Sequence, residues 1–240
     1  MPGGRTLPRA PLVLVALLAG CAATAQSPKG KPKVLLYKDR LAAQFDTVDC
    51  VKNVLKLNPL LFLRGEVPLY YERALTPRLS IELGLGITLR DYLGLSIVND
   101  DADDFGAGTE IIANPSYRVA VRFYLGDDLE PQGWYIQPEF GHLRYTKDIL
   151  AIDSAGAFTD QRFRDERSFN DLRLLGGYQM LSMSSNWLFD FYFGAGFRDR
   201  DRTIVSERLD TVTRTYTYSV EQKRDQVPVL FLGVKVGLGF

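Results

Sequence analysis

"VLFLGVKVGLGF", residues 229–240, decides how this chain is read. Leu230, Leu232, Val234, Val236, Leu238 and Phe240 take every second position, and Phe231, Gly233, Lys235, Gly237 and Gly239 take the others. A period of two is the mark of a strand with unlike faces. One face here is wholly apolar, and the other is small with a single charge. The last residues of a soluble domain are usually polar and frayed. An apolar face carried through to Phe240 therefore asks for an apolar surrounding.

The same alternation recurs upstream. Leu79, Ile81, Leu83, Leu85, Ile87 and Leu89 oppose Ser80, Glu82, Gly84, Gly86, Thr88 and Arg90. Tyr117, Val119, Val121, Phe123 and Leu125 oppose Arg118, Ala120, Arg122, Tyr124 and Gly126, and Trp187 to Phe197 behaves alike. A soluble sandwich also alternates, but its solvent face is rich in Lys, Glu, Ser and Thr. These mixed faces of charge, Tyr and Gly look enclosed. Segments of about 9 to 12 residues match tilted membrane-crossing strands, and past the leader no apolar run reaches the roughly 18 residues of a spanning helix.

The chain is 240 residues with 29 basic and 29 acidic side chains. That length suits one domain if it is a sheet closed on itself, and the balanced charge argues against a nucleic-acid partner. Arg5 and Arg9, the apolar core "PLVLVALLAG" and the small residues after it read as an export signal over residues 1–25. Two processing readings stay open: cleavage after "ATA", before Gln26, or lipidation of Cys21 at "LAGC". Either way Cys50 has no intrachain partner, so a disulfide scaffold is not expected. Residues 26–50, opening with "QSPKGKPKV", read as a periplasmic tether, and 51–240 as the folded domain.

Strands are expected at Asn53–Leu63, Glu66–Leu75, Leu79–Arg90, Ser116–Leu125, Gly133–Tyr145, Phe169–Leu181, Asn186–Arg198 and Gln226–Phe240. The links "TPR", "GDDLEPQ" and "SMSS" are short, whereas 91–115, 146–168 and 199–225 are long and polar. Short turns on one side and long loops on the other are the build of an outer-membrane barrel. The expected fold is thus an all-β, eight-stranded antiparallel transmembrane β-barrel, with both termini on the periplasmic side. Pro59 and Pro68 strain the first hairpin, and one bent strand over Asn53–Leu75 is the competing reading. "RTYTYSV", residues 214–220, is a candidate for a further strand or an extension of the wall.

With its leader, alternating strands and aromatic end, the chain resembles the small bacterial outer-membrane barrels of the OmpA, OmpX and OmpW type. Residues 53–87, with "YERAL" followed by "LSIELGLG", resemble the opening of an uncharacterised Bacteroidetes family of such barrels. The resemblance implies a bacterial outer-membrane location, contact with outer-membrane lipid and lipopolysaccharide, and a closing strand whose Leu238 and Phe240 are read by the barrel-assembly machinery.

On the enclosed face, Glu72, Glu82, Glu139 and Asp190 stand against Arg118, Arg122, Arg173 and Lys235. Buried charges are tolerable only in pairs, so this set reads as a self-neutralising plug or, alternatively, as a polar path for a small solute. Gly141 is a candidate bulge in "WYIQPEFGHLRY". Barrel lipid hydrolases set a His and a Ser two apart, but the single His, His142, has Arg144 there. Asp101, Asp103 and Gly106 of "NDDADDFG" fit a calcium loop poorly, since Phe105 stands where an oxygen ligand belongs. "RFRDER" (162–167) and "FRDRDR" (197–202) offer Arg forks to phosphate, or pair with their own acids. "GAG" inside an aromatic strand is no nucleotide loop. No cofactor or metal is expected. The leading expectation is a non-enzymatic envelope protein with a structural or surface-interaction role through its external loops. A narrow channel is the alternative, and a lipid-modifying enzyme the third reading.

Overall fold

A computed structural model describes residue 44 and residues 50–89, 108–153, 155–182, 186–210 and 215–240. The leader, Cys21, most of the tether and the Asp101–Asp103–Gly106 loop lie outside the described residues.

Nine strands and one short helix are described: β1 (Asn53–Leu57), α1 (Pro59–Leu63), β2 (Glu66–Thr76), β3 (Leu79–Thr88), β4 (Thr109–Ile112), β5 (Asn114–Tyr124), β6 (Gly133–Ile152), β7 (Phe158–Leu181), β8 (Trp187–Asp210) and β9 (Thr215–Gly239). All pairings are antiparallel, and eight strands close in a ring of order β1-β2-β3-β5-β6-β7-β8-β9. Closure is made by β1 against β9, from Val54↔Gly239 to Leu57↔Val236. β4 stands outside the ring, paired to β6 at Thr146–Ile149. The result is barrel-like, with no free edge at its base.

Three expectations need correction. The strand over Asn53–Leu63 ends at Leu57, because Asn58 caps a helical turn, accepting from the Leu60 amide at 3.2 Å, and Pro59 supplies its first residue. β1 and β2 are therefore separate strands, and the single bent strand is ruled out. Most of the two long links is strand: residues 146–152, 158–168, 199–210 and 215–225 continue β6 through β9 as paired strands well past the ring. Cross-strand pairs hold that extension together. Arg164 grips Asp148 at 2.9 and 3.1 Å, Arg224 reaches Asp199 at 3.0 Å, and Phe163 stacks on Tyr218 at 4.6 Å. "RTYTYSV" belongs to this extension, from Thr215 onward. Lastly, Gly141 is no bulge, since Arg118↔Gly141↔Asp171 pair in unbroken register; the irregularity in β6 falls between Leu150 and Ile152.

The core fills the ring. Val51, Val54, Leu181 and Leu188 seal the short-turn end, Leu143, Tyr145 and Phe169 lie toward the extension, and buried charge occupies the space between. Outside, Leu55, Leu69, Ile81, Leu83, Val119, Ile136, Leu174, Phe191 and Val234 share one continuous apolar belt.

Candidate functional site

The charges inside the ring sit in two layers, which the pleat explains: every second residue of each strand points inward, and neighbouring strands put those residues at matched heights. In the lower layer Lys56, from β1, is the hub. Its ammonium donates to Glu82 Oε2 at 3.0 Å, Asp190 Oδ2 at 3.2 Å, Gln179 Oε1 at 2.7 Å and also Glu72. Arg122 enters from β5 and donates to Gln137 at 2.7 Å, Asp190 at 2.9 Å, Glu82 at 3.0 Å and Glu72 at 3.3 Å. Its guanidinium lies 3.8 Å over the Tyr135 ring. Lys235 closes on Glu82 and stands 4.1 Å from the Tyr70 ring. Tyr124, Tyr135 and Ser80 donate their hydroxyls to Glu72, Asp190 and Glu72 respectively.

Three cations thus face three carboxylates in a space closed to water. Each acid accepts several charge-assisted bonds, which is the condition under which buried ions are tolerated. Gly233 lets the Tyr192 ring lie flat against β9, and Gly177 does the same for Tyr135; a Cβ at either position would run into the ring.

The upper layer is built from Arg118, Glu66, Glu139, Arg173, Asp171 and Arg198. Arg198 forks onto Asp171 at 2.7 and 2.9 Å, Arg173 stands 3.4 Å from both Glu139 and Asp171, and Arg118 pairs with Glu66. All eight residues expected on the inward face are there. They divide between the layers: Glu72, Glu82, Arg122, Asp190 and Lys235 below, Arg118, Glu139 and Arg173 above. Sequence reasoning missed Lys56, Glu66, Asp171 and Arg198. The last three lie in phase with Glu72, Arg173 and Asp190 along their own strands, so counting by twos would have found them.

His142 faces outward, stacked on Tyr117 at 5.1 Å with Nδ1 2.8 Å from Asn170 Oδ1. It addresses no nucleophile of the interior. Arg200 and Arg202 of "FRDRDR" turn inward and share Asp225 at 2.9 and 3.4 Å, an acid of the neighbouring strand β9 and not one interleaved in that stretch. In "RFRDER", Arg162 meets Glu110 at 2.8 Å and Arg167 meets Asp165 at 3.2 Å. Among the described residues no cluster of His, Cys, Asp and Glu has the arrangement of a metal site. At the seam, Leu238 and Phe240 point outward, and Asn53 and Phe240 exchange backbone hydrogen bonds of 3.0 and 2.8 Å.

On comparison with known proteins, no protein-family model matches the chain, and no curated protein matches it either.

Proposed function

We propose that the chain is an outer-membrane β-barrel whose ring lies in the bilayer, with a non-enzymatic, structural or surface-interaction role carried by the strand extension outside it. The observation that supports this best is the inversion of faces: the ring exposes Leu83, Leu85, Phe191 and Phe193 while burying Lys56, Arg122, Glu72 and Asp190. In water that arrangement would expose an apolar patch far larger than soluble proteins carry. From Trp187 to Phe197 β8 runs eleven residues, of which every second one is apolar and faces outward. At a rise of about 3.3 Å per residue and a tilt near 40° they span roughly 27 Å of membrane, close to the apolar band of such barrels. Trp134, Tyr178 and Trp187 mark the short-turn border of that band, and Tyr117 and Phe197 the other. Barrels of this kind place their aromatic residues at both interfaces.

Under this reading the short turns face the periplasm, and the paired extension of β6 through β9 stands above the outer leaflet among lipopolysaccharide. The closing strand ending at Phe240 is what the assembly machinery meets. A channel would need the lower charged layer to part, and each of its side chains is held by several partners at once. The test is direct. The purified chain should fold only in detergent or lipid, and brominated acyl chains should quench Trp134 and Trp187. Planar bilayers should show no steady conductance. Folding as a monomer in plain buffer overturns the membrane assignment; steady conductance moves the role to the channel.

A further inference from the structure

The ring is not equally closed along its height. β1 is only five residues long and meets β9 only from Val236 to Gly239. Above that, no strand stands beside β9 until β2, and α1 occupies the interval, packed against both. Pro68 lies on β2 just past the last residue paired with β1, and Pro228 on the stretch of β9 that pairs with β8 but has no partner on the β1 side, so each strand bordering the interval carries a residue without a backbone donor. Leu230 and Leu232 are 80% and 83% exposed, well above Leu172 at 62% or Phe191 at 50%, because a strand, β8, flanks them on one side only. α1 itself, "PLLFL", buries none of its side chains.

Behind this seam is a cavity of about 220 Å³. Leu60, Leu61, Leu230 and Leu232 form its mouth, and Arg64, Arg118, Arg173 and Arg198 with Asp171 form its floor. Like the lower layer, the buried upper one balances three cations, Arg118, Arg173 and Arg198, against three acids, Glu66, Glu139 and Asp171, and the half-buried Arg64 borders it. Arg173, 7% exposed, has Nε and Nη2 without a hydrogen-bond partner, and Arg118, 5% exposed, has Nε in the same condition. Buried donors in that state call for an acceptor. A second, wholly apolar groove of about 310 Å³ runs from Leu60 and Leu232 across the outer face past Phe191, Phe193 and Tyr178. The two spaces share Leu60, Tyr192 and Leu232.

We propose that the seam is a binding site for an acyl lipid with an anionic head, entered sideways from the bilayer. The head, a carboxylate or a phosphate, accepts from the unpartnered donors of Arg173 and Arg118, while the chain leaves between Leu60 and Leu232 and lies in the outer groove. This rests on the membrane assignment above, and it adds a ligand to a protein otherwise read as a wall.

The experiment uses the full chain in nanodiscs of phosphatidylcholine, with the fluorescent fatty acid cis-parinaric acid as probe. Binding should be saturable and displaced by lysophosphatidic acid, but not by oleyl alcohol, which has the chain without the charge, nor by inorganic phosphate, which has the charge without the chain. Arg173→Gln should weaken binding about tenfold or more, as loss of a charge-assisted bond does. Leu61→Trp, which narrows the mouth without touching the charges, should weaken it too. Arg224→Gln on the extension should change nothing. Equal displacement by oleyl alcohol would make the seam an apolar patch only, and displacement by inorganic phosphate a free-anion site; either overturns the proposal. So does unaltered binding in both Arg173→Gln and Leu61→Trp when their heat-modifiable folded bands are intact. A chain that folds in plain buffer defeats the membrane assignment, whereas one folded in nanodiscs that ignores both amphiphiles defeats only this site.

Discussion

Removing Arg122 should be the most damaging single change inside the ring. Its guanidinium is fully buried and touches Glu72, Glu82, Asp190 and Gln137. In Arg122→Met the aliphatic volume is largely kept, but three carboxylates are left to Lys56 and Lys235. One buried negative charge then has no counter-ion, and breaking a buried pair in this way costs about 3–5 kcal/mol. That is a cost of breaking the network and not its net worth, since apolar replacement of every member can be neutral. A cycle separates the two. Adding Asp190→Asn returns the layer to two cations and two acids and keeps an acceptor for the Tyr135 hydroxyl. The double variant should therefore recover about 1–3 kcal/mol relative to Arg122→Met alone, the range of coupling between groups in contact. Urea unfolding in lipid vesicles, followed through Trp134 and Trp187, measures both steps. Arg122→Met within about 0.5 kcal/mol of the parent, or strict additivity of the two changes, would refute the reasoning.

Other consequences test other parts of the molecule. A Cβ at Gly194 would press on the Leu174 carbonyl of the neighbouring strand, so Gly194→Ala should destabilise by about 1–3 kcal/mol, while Gly126→Ala, with open space around it, should be silent in the same unfolding assay. Deleting Phe240 removes both backbone bonds to Asn53 at the closing seam, and should lower the yield of the heat-modifiable folded band on insertion. In the extension, side-chain hydrogen bonds from Arg164 and from Arg200 hold the Asp148 and Asp225 carboxyls below the ordinary carboxylate range. A depressed folded-state value means stability that is fully present above the unfolded value of about 4 and lost as pH falls through the folded one. Amide exchange in 158–168 and 215–225, corrected for intrinsic rate, should therefore rise between pH 5 and pH 2; flat protection over that interval would count against these pairs.

The parts legible in the sequence were those in which two faces differ. From Leu79 to Thr88, or from Trp187 to Phe197, apolar and mixed residues alternate without a break, and which residues face inward follows from parity alone. The extension was hidden because its strands are polar on both faces. Arg162 to Ser168 and Asp199 to Asp210 present charge to either side, so no amphipathic signal separates them from a loop, and only cross-strand pairing reveals them. α1 was hidden for the opposite reason. "PLLFL" is apolar throughout, and a five-residue apolar run fits a buried strand as well as a helical turn. The deciding signal was Asn58–Pro59, a cap followed by a residue suited to a helix's first position. Lys56 was missed with it, as one charge in a strand whose phase was obscured by its neighbours.

The break in the wall and the unpartnered donors of Arg173 and Arg118 occur at the same cavity, and that coincidence ties the seam to the interior. Where β1 is present, its Lys56 completes the lower layer; where β1 stops, no acid enters from that side of the ring before Glu66. A full-length first strand would have offered two or three more inward positions, and an acid at one of them would have answered Arg173. Asn58 instead turns its amide to the Tyr192 hydroxyl at 2.8 Å and starts the helix. The truncated strand therefore does two things at once, opening a path to the apolar exterior and leaving hydrogen-bond donors of the ion-paired Arg173 without an acceptor. Extending β1 by Pro59→Thr with Leu61→Glu would place an acid at the mouth of that gap. The variant should gain stability in lipid vesicles while losing parinarate binding, and a loss of stability with binding intact would show that the two features are unconnected.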